Sequence, residues 1–120
     1  MTPLTSQQVF DRAASHLLKQ GFRSELPDRS ACAYRGRNGM MCAVGALIPD
    51  EMYDPAMEKK GVGAFPEYFP EVFKHISGEQ PHLICDLQEM HDHWEPSSWR
   101  KRLGKIAKSY HLDDSVLTKV

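Results

Sequence analysis

The sequence has no long apolar run and no surplus of basic residues, and these absences exclude several classes of protein. No stretch approaches the ~20 consecutive apolar residues that a membrane-spanning helix needs, and no basic-then-apolar leader opens the chain. The formal net charge is −1, so the molecule as a whole has no field that attracts nucleic acid or anionic lipid. We therefore expect a cytoplasmic protein that makes no membrane contact and for which nucleic acid is not the expected partner.

Cysteine is also scarce, with three residues at Cys32, Cys42 and Cys85 and no C-x-x-C pair. An odd number of cysteines without such pairs disfavours both a disulfide framework and a zinc ribbon. Cys85, His91 and His93 are metal-ligand types, but the two histidines are two residues apart and point to different sides of a helix. We therefore expect no metal site and no cofactor.

The composition that is present is typical of a globular protein. Apolar residues make up 41% and charged residues 26% of the 120 positions, which argues against disorder. A chain of this length forms one domain by the usual length prior, so residues 1–120 are predicted to be a single globular unit.

The first helix has clear sequence signals at both ends. Thr5 and Gln8 have the spacing of a capping box, and Gly21 supplies the left-handed stop, with Phe22 placed to fold back onto the helix. Between them, apolar residues recur on one stripe: Val9, Phe10, Ala13, Ala14, Leu17 and Leu18. This periodicity predicts a helix that packs on the core.

A hairpin and a buried helix are predicted next. In "ACAYRGRNGMMCA" (31–43), the Asn-Gly pair inside "GRNG" is a hairpin turn signal between two short candidate strands. "CAVGALI" (42–48) is apolar on all sides and rich in residues that are poor in strands. We interpret it as a short central helix, with a buried strand as the alternative, and Pro49 ends it.

Further helices are predicted near Pro70, from Pro81 and from Ser97 or Ser98. The helix after Pro81 has a core stripe of Leu83, Leu87, Met90 and Trp94. The predicted fold class is therefore α+β and helix-dominated, with four to five helices packed around the short buried helix and one β-hairpin. The basic residues of the last helix are interpreted as its solvated face: Arg100, Lys101, Arg102, Lys105 and Lys108.

Cys42 allows two interpretations. A cysteine at a helix start has a lowered thiol pKa, and it could act as a nucleophile with His91 as base and Asp92 or Asp50 as the residue that orients the imidazole. Alternatively, it is a small buried residue, as free cysteine often is. The apolar residues Met40 and Met41 before it favour the buried interpretation.

Two polar groups of residues are candidates for binding. Gln88 and His91 share one side of the helix after Pro81, at the edge of its apolar stripe, where they would either brace the buried helix or face the "IPDE" turn. The second group is a carboxylate-rich stretch with an aromatic residue, which is usually a solvated turn but has the composition of a binding loop: Asp50, Glu51, Tyr53, Asp54 and Glu58.

"CAVGALIPDEMY" (42–53) together with "LQEMHD" (87–92) resembles a family of small proteins from bacteriophages and bacterial mobile elements. The resemblance covers nearly the whole chain and implies a cytoplasmic accessory protein, but it brings no activity and no catalytic residue with it. Small phage accessory proteins often act by binding a host protein, which is an argument by association. We therefore expect a non-enzymatic protein that binds a host macromolecule through the loop from Asp50 to Phe69. The alternative is a thiol-dependent hydrolase or transferase that uses Cys42 and His91.

Overall fold

Five α-helices form the framework of the computed structural model, which describes residues 2–26 and 32–120. They are α1 (Ser6–Gln20), α2 (Phe65–Tyr68), α3 (Pro70–Ile76), α4 (His82–His93) and α5 (Trp99–Ser109). Short 3₁₀ helices connect them, at Arg37–Gly39, Gly45–Leu47, Asp50–Met52, Pro55–Lys59, Val62–Ala64, Pro96–Ser98 and Ser115–Thr118. Helix α1 packs against α4, α5, the turn Gly45–Leu47 and the turn Ser115–Thr118.

The predicted ends of α1 are confirmed. The Thr5 side chain accepts a hydrogen bond from the backbone N–H of Gln8, and the Gln8 side chain accepts one from the backbone N–H of Thr5. Gly21 ends the helix with φ 72°, a left-handed conformation that glycine adopts without a steric penalty. Phe22, however, does not fold back, since 65% of its surface is exposed.

The predicted hairpin, and with it the α+β class, is wrong. Residues 2–26 and 32–120 contain no strand, and only isolated antiparallel bridges pair Glu25 with Cys32 and Arg35 with Met41. The predicted turn does form, with positive φ at Asn38 and Gly39 and a 2.7 Å hydrogen bond from Gly36 N–H to the Met40 carbonyl. The described part of the chain is therefore an all-helical fold with one tight turn.

Side chains from other elements take the backbone groups that a strand ladder would use. The Glu58 carboxylate accepts hydrogen bonds from the N–H groups of Tyr34 (2.9 Å) and Arg35 (3.0 Å). The Gln20 side chain accepts from Met41 N–H at 2.9 Å and donates to the Met41 carbonyl at 3.0 Å. Because these bonds satisfy the backbone, the two arms of the turn do not pair with each other beyond one bridge.

The apolar segment 42–48 is buried as predicted, but its regular helix is only the 3₁₀ turn Gly45–Leu47, preceded by a turn in which Ala46 N–H donates to the Cys42 carbonyl. Gly45 lies directly against the Tyr34 backbone: a Cβ at position 45 would be 1.9 Å from the Tyr34 carbonyl oxygen. This close approach holds the segment against the preceding arm of the turn.

The predicted helices near Pro70, after Pro81 and after Ser98 are present as α3, α4 and α5. On α4, Leu83, Leu87 and Met90 are buried as expected, but Trp94 is 43% exposed and lies just beyond the helix. Within the described ranges, no helix is both long enough and apolar enough to cross a bilayer.

Candidate functional site

Cys42 lies at the start of the buried segment and has no exposed surface. Its Sγ accepts a hydrogen bond from Gly45 N–H at 3.3 Å. Burial raises the pKa of the Cys42 thiol from 9.0 to about 12, because an apolar environment disfavours the thiolate. Position 42 therefore holds a protonated thiol that no substrate can reach.

Gln88 connects α4 to the buried segment. Its Oε1 accepts a hydrogen bond from the buried Val44 N–H at 3.0 Å, and its Nε2 donates to Asp92 Oδ1 at 2.9 Å. The side chain thus satisfies a backbone donor that would otherwise be unpaired in the core. Of the two residues predicted to brace the buried segment, Gln88 is the one bonded to it.

His91 is fully buried and bonded through both ring nitrogens. Its Nε2 accepts a hydrogen bond from the backbone N–H of Ser24 at 2.9 Å, and its Nδ1 lies 2.8 Å from Asp92 Oδ1. Because Nε2 faces an N–H donor, the ring proton is on Nδ1 and is donated to Asp92. The ring also stacks on Trp99, with 5.5 Å between centroids. His91 therefore holds the residues after α1 against α4.

Asp92 brings a third residue to this cluster, the partly exposed Cys32. Asp92 Oδ1 accepts from both Gln88 and His91, and the Cys32 thiol hydrogen-bonds to the same carboxylate. Burial, and then the charge of Asp92, raise the pKa of Cys32 from 9.0 to about 11. A carboxylate beside a thiol opposes its ionisation, so this arrangement of cysteine, aspartate and histidine does not produce a nucleophile.

A cleft of about 290 Å³ opens above Cys32 and Asp92. We call it the Cys32 cleft; its walls include Cys32, Tyr34, Glu58, Lys60, Gln88 and Asp92. The Tyr34 hydroxyl donates to the Lys60 carbonyl at 2.8 Å, and Glu58 is bonded to the backbone at Tyr34 and Arg35. Most of the polar groups that face this cleft are thus already hydrogen-bonded within the protein.

Cys32, His91 and Asp92 offer one metal-ligand atom each, all within 4.8 Å of one another. A metal ion at Nδ1 of His91 would require the other ring nitrogen to carry the proton. Nε2 cannot carry it, because the Ser24 N–H points at that nitrogen from 2.9 Å. These three side chains therefore do not fit a metal ion as they are bonded here, although cysteine, histidine and aspartate are residue types that bind metals.

The remaining predicted binding residues divide into two groups. Asp50 and Glu51 are exposed, and Asp50 forms an ion pair with Arg35 at 2.8 Å. Tyr53 and Glu58 are half-buried and bonded to each other, the tyrosine hydroxyl donating to the carboxylate. Glu58, Tyr53 and Gln88 therefore support the fold, and the exposed carboxylates of the set, Asp50, Glu51 and Asp54, are the ones available to a partner.

Of the predicted catalytic residues, His91 and Asp92 are brought together, at 2.8 Å, but Cys42 and Asp50 do not join them. In the described part of the chain no hydrogen bond joins Cys42 to His91, and Asp50 pairs with Arg35 on the surface. Sequence reasoning missed Cys32 as the thiol next to Asp92. Sixty positions separate the two residues, and no spacing pattern connects them.

We predict that an alkylating reagent such as iodoacetamide modifies Cys32 and Cys85, which are partly exposed, long before Cys42 in the native protein. Cys42 can react only when the core opens transiently, and its raised pKa leaves little thiolate at neutral pH. Peptide mass spectrometry over a time course measures the three rates. In denaturant the three should become similar, and preferential labelling of Cys42 in native protein would contradict the buried site.

Comparison of the chain with models of known protein families, with curated proteins and with solved structures gave no match.

Proposed function

We propose that this protein acts by binding a partner protein that presents a basic surface, and that the contact is made by residues 50–71, here called the acidic segment. Six carboxylates and two lysines lie in this segment. Five of the carboxylates are exposed: Asp50, Glu51, Asp54, Glu67 and Glu71. The resemblance to phage accessory proteins favours a host protein as the partner.

The observation that carries the proposal is an exposed aromatic residue among these carboxylates. Tyr68, at the end of α2, is 53% exposed, and the Lys60 ammonium lies over its ring, 3.8 Å from the centroid. Tyrosine is a frequent energetic centre of protein interfaces, and a ring that already binds one cation on its face suits a partner rich in arginine or lysine. Glu67 and Glu71 lie on either side of it in sequence and would steer such a partner.

The buried groups support binding over catalysis. Cys42 is buried in the core, burial and the charge of Asp92 raise the pKa of Cys32, and both nitrogens of His91 are bonded. These groups give no support to a thiol-dependent mechanism at Cys42.

A photo-crosslinking amino acid at position 68 tests the proposal in bacterial cells. We expect one discrete adduct, with a partner that mass spectrometry identifies as a basic protein. The same crosslinker at Phe22, which is at least as exposed as Tyr68 but lies after α1, is the matched control and should not give that adduct.

The purified pair then gives the quantitative result. Tyr68→Ala should weaken binding about 30-fold or more, as hot-spot truncations do. The double variant Glu67→Gln/Glu71→Gln should chiefly slow association and reduce its salt dependence. No adduct at position 68, or an adduct equally strong at position 22, would overturn the proposal.

A further inference from the structure

The charge of the chain is close to balanced overall but is separated in space. Helix α5 carries five basic residues and no acidic one: Arg100, Lys101, Arg102, Lys105 and Lys108. The positive charge of α5 is not apparent from the net charge of −1, because the carboxylates of the acidic segment offset it elsewhere on the surface. A local field can attract a polyanion even when the total charge does not.

The three lysines among these residues form a stripe along the outer face of α5, here called the lysine stripe. Lys101, Lys105 and Lys108 are spaced by four and three residues, which places them on one side of an α-helix. The opposite side is buried through Trp99, Leu103 and Ala107. With a rise of about 1.5 Å per residue, the stripe is about 10 Å long. All three lysines are exposed, so the row of ammonium groups faces solvent.

The three lysines have no carboxylate within ion-pair distance among residues 2–26 and 32–120. The two arginines of the helix are held in place: the Arg102 guanidinium lies 3.2 Å from the centroid of the Trp94 ring, and Arg100 donates to the Val120 carbonyl at 2.7 Å. Within the described fold, the lysine stripe is thus the part of α5 whose positive charges form no ion pair.

We propose that the lysine stripe of α5 binds the phosphate backbone of nucleic acid. Regularly spaced phosphates are the partner that a linear row of unpaired lysines fits best. Asp86 and Glu89 line the groove between α4 and α5 together with Arg102 and Lys105, so the charges in the groove balance, and the surplus of positive charge that attracts phosphate is on the outer face. The stripe reads no base edge, so the binding is independent of sequence.

The strength of this interaction follows from the number of contacts. With about three phosphate contacts, the logarithm of the association constant falls with the logarithm of salt concentration at a slope of about −2.7, which weakens binding about forty-fold between 50 and 200 mM salt. A dissociation constant between about 1 and 100 µM at physiological salt is typical of such sequence-independent binding.

Fluorescence anisotropy with a labelled duplex of unrelated sequence tests the proposal. The triple variant Lys101→Gln/Lys105→Gln/Lys108→Gln should bind at least about thirty-fold more weakly at low salt and lose most of the salt slope. Glutamine has nearly the helix propensity of lysine, so α5 should remain folded, and circular dichroism checks this. The matched control, Lys19→Gln/Lys59→Gln/Lys74→Gln, removes three exposed lysines from other elements and should retain most of the affinity.

Three results would overturn the proposal: absence of binding at about 100 µM protein in low salt, equal weakening in the two triple variants, or binding that does not depend on salt. Self-association at low salt that requires the same three lysines, without binding to the duplex, would assign the stripe to the acidic segment of a second copy and would also overturn it. These results are independent of the crosslink at Tyr68, because the variant of the stripe leaves the acidic segment unchanged and the control variant changes only Lys59 in it.

Discussion

The variant Gly45→Ala is expected to lose at least ~3 kcal/mol of unfolding free energy or to fail to fold. The added Cβ would lie 1.9 Å from the Tyr34 carbonyl oxygen and 2.7 Å from its carbon. These are backbone atoms, so no side chain can rotate out of the way. The Gly45 N–H, the donor to Cys42, belongs to the same turn, so a backbone shift there also disturbs the buried cysteine. Urea unfolding monitored by circular dichroism measures the loss.

Gly61→Ala is the matched control for this substitution. No atom lies within 4 Å of a Cβ built at Gly61, and its φ of −72° is open to any residue. We expect a change of no more than ~0.5 kcal/mol, since exposed substitutions away from special features have small effects. Equal stability of the Gly45 and Gly61 variants would show that segment 42–48 does not lie against the Tyr34 backbone.

The variant His91→Ala is expected to lose ~3–5 kcal/mol. It removes a fully buried ring stacked on Trp99 and leaves the Ser24 N–H, on a residue with no exposed surface, without its acceptor. An unpaired buried donor costs ~1–3 kcal/mol, and the loss of the ring adds a cavity. Chemical denaturation of the purified variant checks the prediction.

Two further variants separate the causes. His93→Ala changes an exposed histidine on the same helix and should have little effect. His91→Phe keeps a ring against Trp99 but removes the acceptor for Ser24, so it should recover only the packing part of the loss. If His91→Ala were as stable as His93→Ala, the bonds of His91 to Ser24 and Asp92 would not contribute to stability.

The helices were largely predictable, because their signals are local. The Thr5–Gln8 capping box and Gly21 mark the ends of α1 within one turn of the residues they cap. Pro70 begins α3, as expected of a proline in the first turn of a helix. At Trp94 the same reasoning was wrong: α4 ends at His93, so the indole leaves the stripe and lies partly exposed under Arg102.

The hairpin was predicted from a turn signal that is real. Asn38 and Gly39 have positive φ, as the Asn-Gly pair indicates. Whether strands extend from such a turn depends on what else can bond to its backbone. Glu58 and Gln20 do so here, and these residues are distant in sequence from the groups they bind.

In the candidate site too, the sequence predicted where residues lie but not which distant groups they bond. The sequence indicated that Gln88 and His91 would lie at the edge of the core, and both are buried there. It did not indicate that Gln88 bonds Val44, that His91 bonds Ser24, or that Cys32 would be the thiol beside Asp92. Each of these pairs spans more than 40 positions, so only the packed chain determines them.

By itself, the sequence determined the helical segments after the central turn and the extent of α1, since periodicity and capping act over a few residues, and it favoured the burial of Cys42 without deciding it. The tertiary structure decided which polar side chains form hydrogen bonds inside the fold and which charged side chains stay exposed to solvent. Hydrogen bonds between distant residues satisfied Glu58, Gln88 and His91, whereas Tyr68 and the lysines of α5 stayed exposed. The physical reason is that desolvation and pairing depend on the three-dimensional neighbours of a group, which a linear pattern does not contain.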